Sequence, residues 1–188
     1  MQTIPSGPSA RSRPPVLCLL LSALLAQPPA AAQSPQPTTP GPATYNLIPS
    51  NDRHHAPDFL LTDLDGQPLT LSQYRGRVIL LDFWAVDCGG CKIEIPWYVA
   101  FDKTYRAHGL QLIGIDMYGE SPGLVRPFMV KAGMRYPVAI GNDALGAQYH
   151  VESMPLTLLI DREGRIALSH AGIVDRNKFE GALQQLLR

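Results

Sequence analysis

An α/β fold with a central mixed β-sheet flanked by helices is what this chain predicts, on three observations. Val78-Ile79-Leu80-Leu81-Asp82-Phe83-Trp84 is a near-continuous apolar run, the pattern of a strand buried on both faces. Strand-like and helical stretches then alternate to about residue 140, as strand–helix–strand units do. Leu156–Asp161 and Arg165–His170 are separated only by Arg162-Glu163-Gly164. That link is too short for a crossover, so this last pair is antiparallel and the sheet is mixed.

The elements follow in order. Phe59–Thr62 and Leu69–Leu71 flank Asp65-Gly66, a turn signal, and predict an N-terminal β-hairpin extension. A helical pattern runs from Cys88 to about His108, with Pro96 inside it as an expected kink. Leu110–Tyr118 is the next strand. Ser121-Pro122 starts a helix that Gly133 ends, Pro127 lying within it. Tyr136–Ile140 is a short extended run and Asp143–Tyr149 a short helix. Asp175–Arg188 is amphipathic, with Phe179, Leu183, Leu186 and Leu187 on one side.

Composition fits a single domain. The chain has 188 residues, 45% apolar and 17% charged, and its 16 basic side chains balance 16 acidic ones. There is no bulk field to draw nucleic acid. Arg11 and Arg13 precede an uncharged apolar run, Val16–Ala26, shorter than the ~20 residues a spanning helix needs. Ala30-Ala31-Ala32 follows it. That order is a signal peptide over residues 1–32, cleaved after Ala32. Residues 33–55 read as a Pro-rich flexible tether and 56–188 as the folded domain; eleven of the eighteen prolines precede residue 51. The expected location is therefore exported, periplasmic or extracytoplasmic, with a membrane anchor if the leader is retained.

Cys18 leaves with the leader, so the mature chain keeps Cys88 and Cys91 alone. A bridge between residues so close constrains the unfolded chain little. The pair therefore reads as chemical, a redox-active Cys88–Cys91 disulfide, rather than a staple. Cys88 stands where a helix begins, and a helix N-terminus favours the thiolate that attacks disulfides. Cys91, one turn inward, acts second. No metal site is expected, since no second cysteine pair and no histidine spacing supports one.

The stretch from Asp82 through Phe83-Trp84-Ala85 to Cys88-Gly89-Gly90-Cys91 resembles the thioredoxin active site. Ala56-Pro57-Asp58-Phe59 resembles the entry segment of redoxins. Lys92, Glu94, Pro96, Met154-Pro155-Leu156-Thr157 and Ile160–Gly164 resemble the TlpA/ResA branch. The resemblance spans about residues 56–188. It implies a thioredoxin-like fold and an exported thiol–disulfide oxidoreductase without a bound cofactor, usually a reductant and often serving cytochrome c maturation. Implied partners are a disulfide-containing protein substrate and a membrane thiol reductase as electron donor; the chain is expected to be a monomer.

The same resemblance assigns roles. Asp82 matches a buried aspartate behind the second cysteine, whose raised pKa suits proton exchange with Cys91. Glu94 matches an active-site glutamate. Pro155 is expected to be cis and to face the cysteines, with Met154 offering its backbone to an extended substrate. Trp84 reads as either core-edge packing or a substrate platform, and Asp87 as part of the substrate surface. Two departures stand out: Asp87 replaces the usual tryptophan, and Gly89-Gly90 replaces the usual X-Pro pair. Two other activities fit less well. A thiol peroxidase would want Thr or Ser just before its cysteine, where Ala85, Val86 and Asp87 stand. A copper-binding assembly protein would space its cysteines CxxxC.

Overall fold

The computed structural model describes residues 44–188. Its centre is a five-stranded sheet built from β3 (Val78–Trp84), β4 (Leu110–Asp116), β5 (Val138–Ile140), β6 (Leu156–Ile160) and β7 (Ile166–Ala171). The spatial order is β5-β4-β3-β6-β7. β3, β4 and β5 run parallel; β6 is antiparallel to both β3 and β7. The mixed sheet expected from the sequence is the one observed.

Every residue of β3 is buried, so it divides two cores. Leu80 and Trp84 face a core completed by α1 (Gly89–Tyr105), α2 (Pro122–Ala132) and α4 (Arg176–Leu187), through Tyr98, Phe101, Val125 and Phe179. Ile79, Leu81 and Phe83 face the other, closed by α3 (Asp143–Gln148) and the hairpin strands β1 (Leu60–Thr62) and β2 (Pro68–Thr70). α1 continues through Pro96 without ending. Capping explains the helix starts. Asn142 and Asp175 each accept a first-turn backbone N–H, and Gly133 closes α2 in the left-handed conformation.

The hairpin extension is present, and it lies against the sheet edge: Asp63 bridges Ala139, and the Leu64 N–H donates to the Val138 carbonyl at 2.8 Å. The leader and the tether up to residue 43 lie outside the described residues. The tether boundary at residue 55 needs correction. Ile48 donates to Ala167 and the His54 carbonyl accepts from Ile166, both at 2.8 Å, while His55 bridges Arg165. Tyr45 packs on Phe179 and His170. β7 would otherwise present unpaired backbone groups, and Tyr45 and Leu47 pack their apolar surface against the core. Proline content alone did not reveal that edge.

Candidate active site

The carboxyl ends of β3 and β4, the start of β6 and the loop after β7 meet at one end of the sheet, the usual place for a site on such a fold. Trp84 ends β3, and Ala85-Val86-Asp87 leads to Cys88, the N-cap of α1. The Cys88 sulfur accepts the Cys91 N–H at 3.1 Å. The two cysteines are joined as a disulfide, with Cα atoms 5.3 Å apart. Cys88 retains 9% of its accessible surface and Cys91 1%, so the outer and inner positions fall as expected.

Behind the inner cysteine lies a buried polar cluster. Glu94 sits one turn after Cys91 and is completely buried. One carboxylate oxygen accepts the Val174 N–H at 2.6 Å; the other has no partner. Burial raises the Glu94 carboxyl to about 7, against the lowering effect of the Val174 hydrogen bond. Asp82 lies on the same sheet face as Leu80 and Trp84, also fully buried, and neither oxygen is hydrogen-bonded. Desolvation, then repulsion by Glu94, holds the Asp82 carboxyl well above the ordinary range. Two carboxyls so placed tend to keep protons at neutral pH, which suits them to exchange protons with the inner thiol.

Pro155 is joined to Met154 by a cis peptide bond. Its ring abuts the cysteine loop: a Cβ on Gly90 would stand 3.0 Å from Pro155 Cδ and 3.1 Å from Ile173 Cγ1. The second glycine of the departure therefore matches a local approach that tolerates little more than hydrogen. The Pro155 carbonyl accepts from Gly172 at 2.8 Å. Among the described residues no hydrogen bond is made by the half-buried Met154 backbone, the group expected to meet a substrate chain. Asp87 is exposed beside Cys88.

Trp84 is a correction. It is fully buried and stacks on Phe128, with centroids 5.3 Å apart. A ring without accessible surface cannot be a platform for substrate; it packs the core under the cysteine loop. Asp82, Glu94, Cys88, Cys91, Met154 and Pro155 do converge on this end of the sheet, and Asp87 borders it.

Four further residues join the site. Tyr98, one turn beyond Glu94, shares a 2.8 Å hydrogen bond with Thr157, which lies opposite Asp82 in the β3–β6 register. The Tyr98 hydroxyl is raised by burial and by the two acids. Glu120 accepts the Val86 N–H at 2.9 Å and its own N–H donates to Asp116 at 3.1 Å, so it holds the loop that carries Cys88. Burial and the neighbouring Glu120 lift Asp116 to about 7. The i, i+3, i+7 spacing of Cys91, Glu94 and Tyr98 was a usable signal in the sequence. The Asp82–Thr157 register and the Glu120–Val86 contact join distant segments and left none.

Comparison with known proteins agrees with this geometry. The AhpC/TSA family model matches residues 53–169. Thiol-disulfide oxidoreductase ResA of Geobacillus kaustophilus is 32% identical over 132 residues, covering 70% of this chain and 75% of the relative. The ResA of Bacillus thuringiensis strain Al Hakam is 31% identical over 133 residues, covering 70% and 76%. A crystal structure described as thiol:disulfide interchange protein DsbE, from Chlorobium tepidum, superposes with a TM-score of 0.68 at 31% identity, over 72% of this chain and 97% of that one. With a thioredoxin-like fold, a cysteine pair at a helix start and these relatives, the chain belongs to the AhpC/TSA family and is a thiol–disulfide oxidoreductase of the ResA type.

Proposed function

We propose that this oxidoreductase is exported and works mainly as a reductant of protein disulfides, including those reduced during cytochrome c maturation. The observation that carries the reading is the placement of the inner cysteine, 1% exposed, one turn before a buried glutamate whose charge is felt by a buried aspartate on β3. The Cys88 thiolate attacks one sulfur of a substrate disulfide. A mixed disulfide forms and the other substrate sulfur leaves as thiolate, taking a proton from water. The ionised form of Asp82 then takes the Cys91 proton, and the Cys91 thiolate attacks the Cys88 sulfur. The Cys88–Cys91 disulfide closes and the bond from Cys88 to the substrate breaks. The second substrate sulfur leaves as thiolate and picks up the proton held by Asp82, and two electrons have passed to the substrate. A membrane-embedded thiol reductase restores the dithiol, returning two electrons and two protons.

The N-terminal order of basic residues, apolar run and small residues supports export to the periplasm or its equivalent, with anchoring if the leader stays. The protein acts as a monomer and requires no bound cofactor, the cysteine pair being the redox group. Its reduction potential tests the direction of flow. A value near that of thioredoxin, about −270 mV, is expected, and one near −120 mV, the range of a strong oxidant, refutes the reductant role. Cys91→Ser is expected to trap a substrate through Cys88, and Cys88→Ser to trap almost none. Equal trapping refutes the order of attack. The redoxin-like entry segment Ala56–Phe59 also fits a thiol peroxidase, so peroxide consumption by the dithiol at a rate exceeding disulfide reduction would transfer the assignment to that activity.

A further inference from the structure

Charge is segregated at the cysteine end of the sheet. Three stretches form this side of the site: 82–91, 116–122 and 141–155. They hold no lysine or arginine and six acidic side chains; Asp82 and Asp116 are buried, and the four that reach solvent, Asp87, Glu120, Asp143 and Glu152, carry the charge, with His150 the one basic side chain. The chain as a whole is balanced, so this is local. Lysine first appears at Lys92, on the other flank of the disulfide along α1.

The same side carries a cleft of about 550 Å³. Met117, Tyr118, Val151 and Met154 supply apolar walls, and the exposed Asp143 and Glu152 supply the charge. Its near end adjoins the cysteines, because Met154 precedes Pro155 and Pro155 abuts Gly90. Neither Asp143 nor Glu152 is engaged in a salt bridge among the described residues. Tyr118 is 64% exposed, a large apolar ring available to a partner. An extended chain hydrogen-bonded to the free Met154 backbone would pass its next side chains into this cleft. A side chain that suits it has a long apolar stem and a positive end.

We propose that the cleft selects disulfide-bearing segments with lysine or arginine beside the cysteine, the stem lying on Met117, Tyr118 and Met154 and the charge meeting Asp143 and Glu152. The inference rests on the function proposed above and names the substrate class for the same site.

Three peptide disulfides of one length, with serine, lysine or glutamate flanking the cysteine, test it against the reduced protein. At low salt the lysine peptide is expected to react about fivefold faster in kcat/KM than the serine peptide, the scale of one or two exposed ion pairs. The glutamate peptide should be slower than both. Near 1 M salt, where screening length falls to about 3 Å, the order should collapse. The double variant Asp143→Asn/Glu152→Gln should bring the lysine-to-serine ratio close to one. That ratio is taken within one sample and does not depend on the active fraction. Equal rates for lysine and serine in the unaltered protein overturn the inference, as does a preference that survives high salt or the double substitution. Failure to reduce any of the three overturns the reductase reading itself.

Discussion

Glu94 and Val174 are joined by a buried hydrogen bond of 2.6 Å, from the Val174 N–H to the Glu94 carboxylate. It ties the helix that starts at the cysteines to the loop after β7, whose Ile173 lies against Gly90. Helix, disulfide and loop thus form one closed circuit around the reacting sulfurs. Glu94→Ala leaves the Val174 N–H buried without a partner, at a cost of about 1–3 kcal/mol. Glu94→Gln keeps an acceptor and should cost less. Urea unfolding of the oxidised protein checks the order; equal losses would show that the bond contributes little.

The raised carboxyls set a pH dependence. For Glu94 the unfolded chain gives up its proton near 4.5 and the folded chain near 7. Between those values the native state binds more protons, so stability falls as pH rises, and the Glu94 contribution levels off above about 7. Its full size is about 3 kcal/mol. Asp116, raised to about 7, acts in the same direction from a lower starting point, 3.8. Asp58 and Asp161 are held below 3.8 by their hydrogen bonds and oppose the trend only in acid. Tm should therefore be higher near pH 5 than near pH 8, with a smaller difference in Asp116→Asn. A Tm that rises across this range contradicts the assignment.

Asp82→Asn should slow resolution of the mixed disulfide by about 10²-fold while changing the first attack much less, because asparagine keeps the shape but takes no proton from Cys91. Stopped-flow measurement of both steps above pH 7 decides it. Unchanged resolution would place the proton on Glu94 instead.

Gly90→Pro restores the dipeptide pattern that the TlpA/ResA resemblance leads one to expect. A Cβ there meets Pro155 at 3.0 Å and Ile173 at 3.1 Å. Proline would reduce the entropy of the unfolded chain by about 0.4–1 kcal/mol, but only if those neighbours give way. Gly90→Pro alone is expected to destabilise. Combined with Ile173→Ala it should recover most of the loss, and a double-mutant cycle in urea measures the coupling.

Gly114→Ala probes the core beneath the site. Its Cβ would lie 3.0 Å from the Trp84 indole nitrogen and 3.2 Å from Val138. Trp84 is fully buried and stacked on Phe128, so it has little room to retreat. Overpacking should cost about 1–3 kcal/mol, read as a lower Tm.

Much of this architecture was legible in residue order. β3 announced itself by apolar continuity, α2 by Ser121-Pro122 and Gly133, and the β6–β7 hairpin by its three-residue link. The cysteines and Asp82 could be placed because one strand and one helix start carry all three. What stayed hidden depends on pairing across distance. Thr157 meets Asp82 only through strand register, and Glu120 reaches Val86 across two loops. Trp84 was ambiguous because a strand end can be core or rim, and Phe128, forty-four positions on, decides which. Residues 44–55 resembled a linker because their role is to pair backbone, which composition does not record.

Both outer strands of the sheet have their hydrogen-bonding rims occupied from within the chain. The hairpin and its turn close over β5 at Ala139 and Val138, and residues 48–55 run beside β7. A second copy therefore finds no long strand margin to extend, which removes the usual route to edge-on polymerisation of an exposed sheet. The Met154 backbone is open, but it is a single residue bounded by a proline that cannot donate. A foreign chain can register there for one or two hydrogen bonds and no further. Contacts of that length form and dissolve quickly, so each encounter would last mainly as long as the mixed disulfide holds it, and turnover would not wait on the unzipping of a strand.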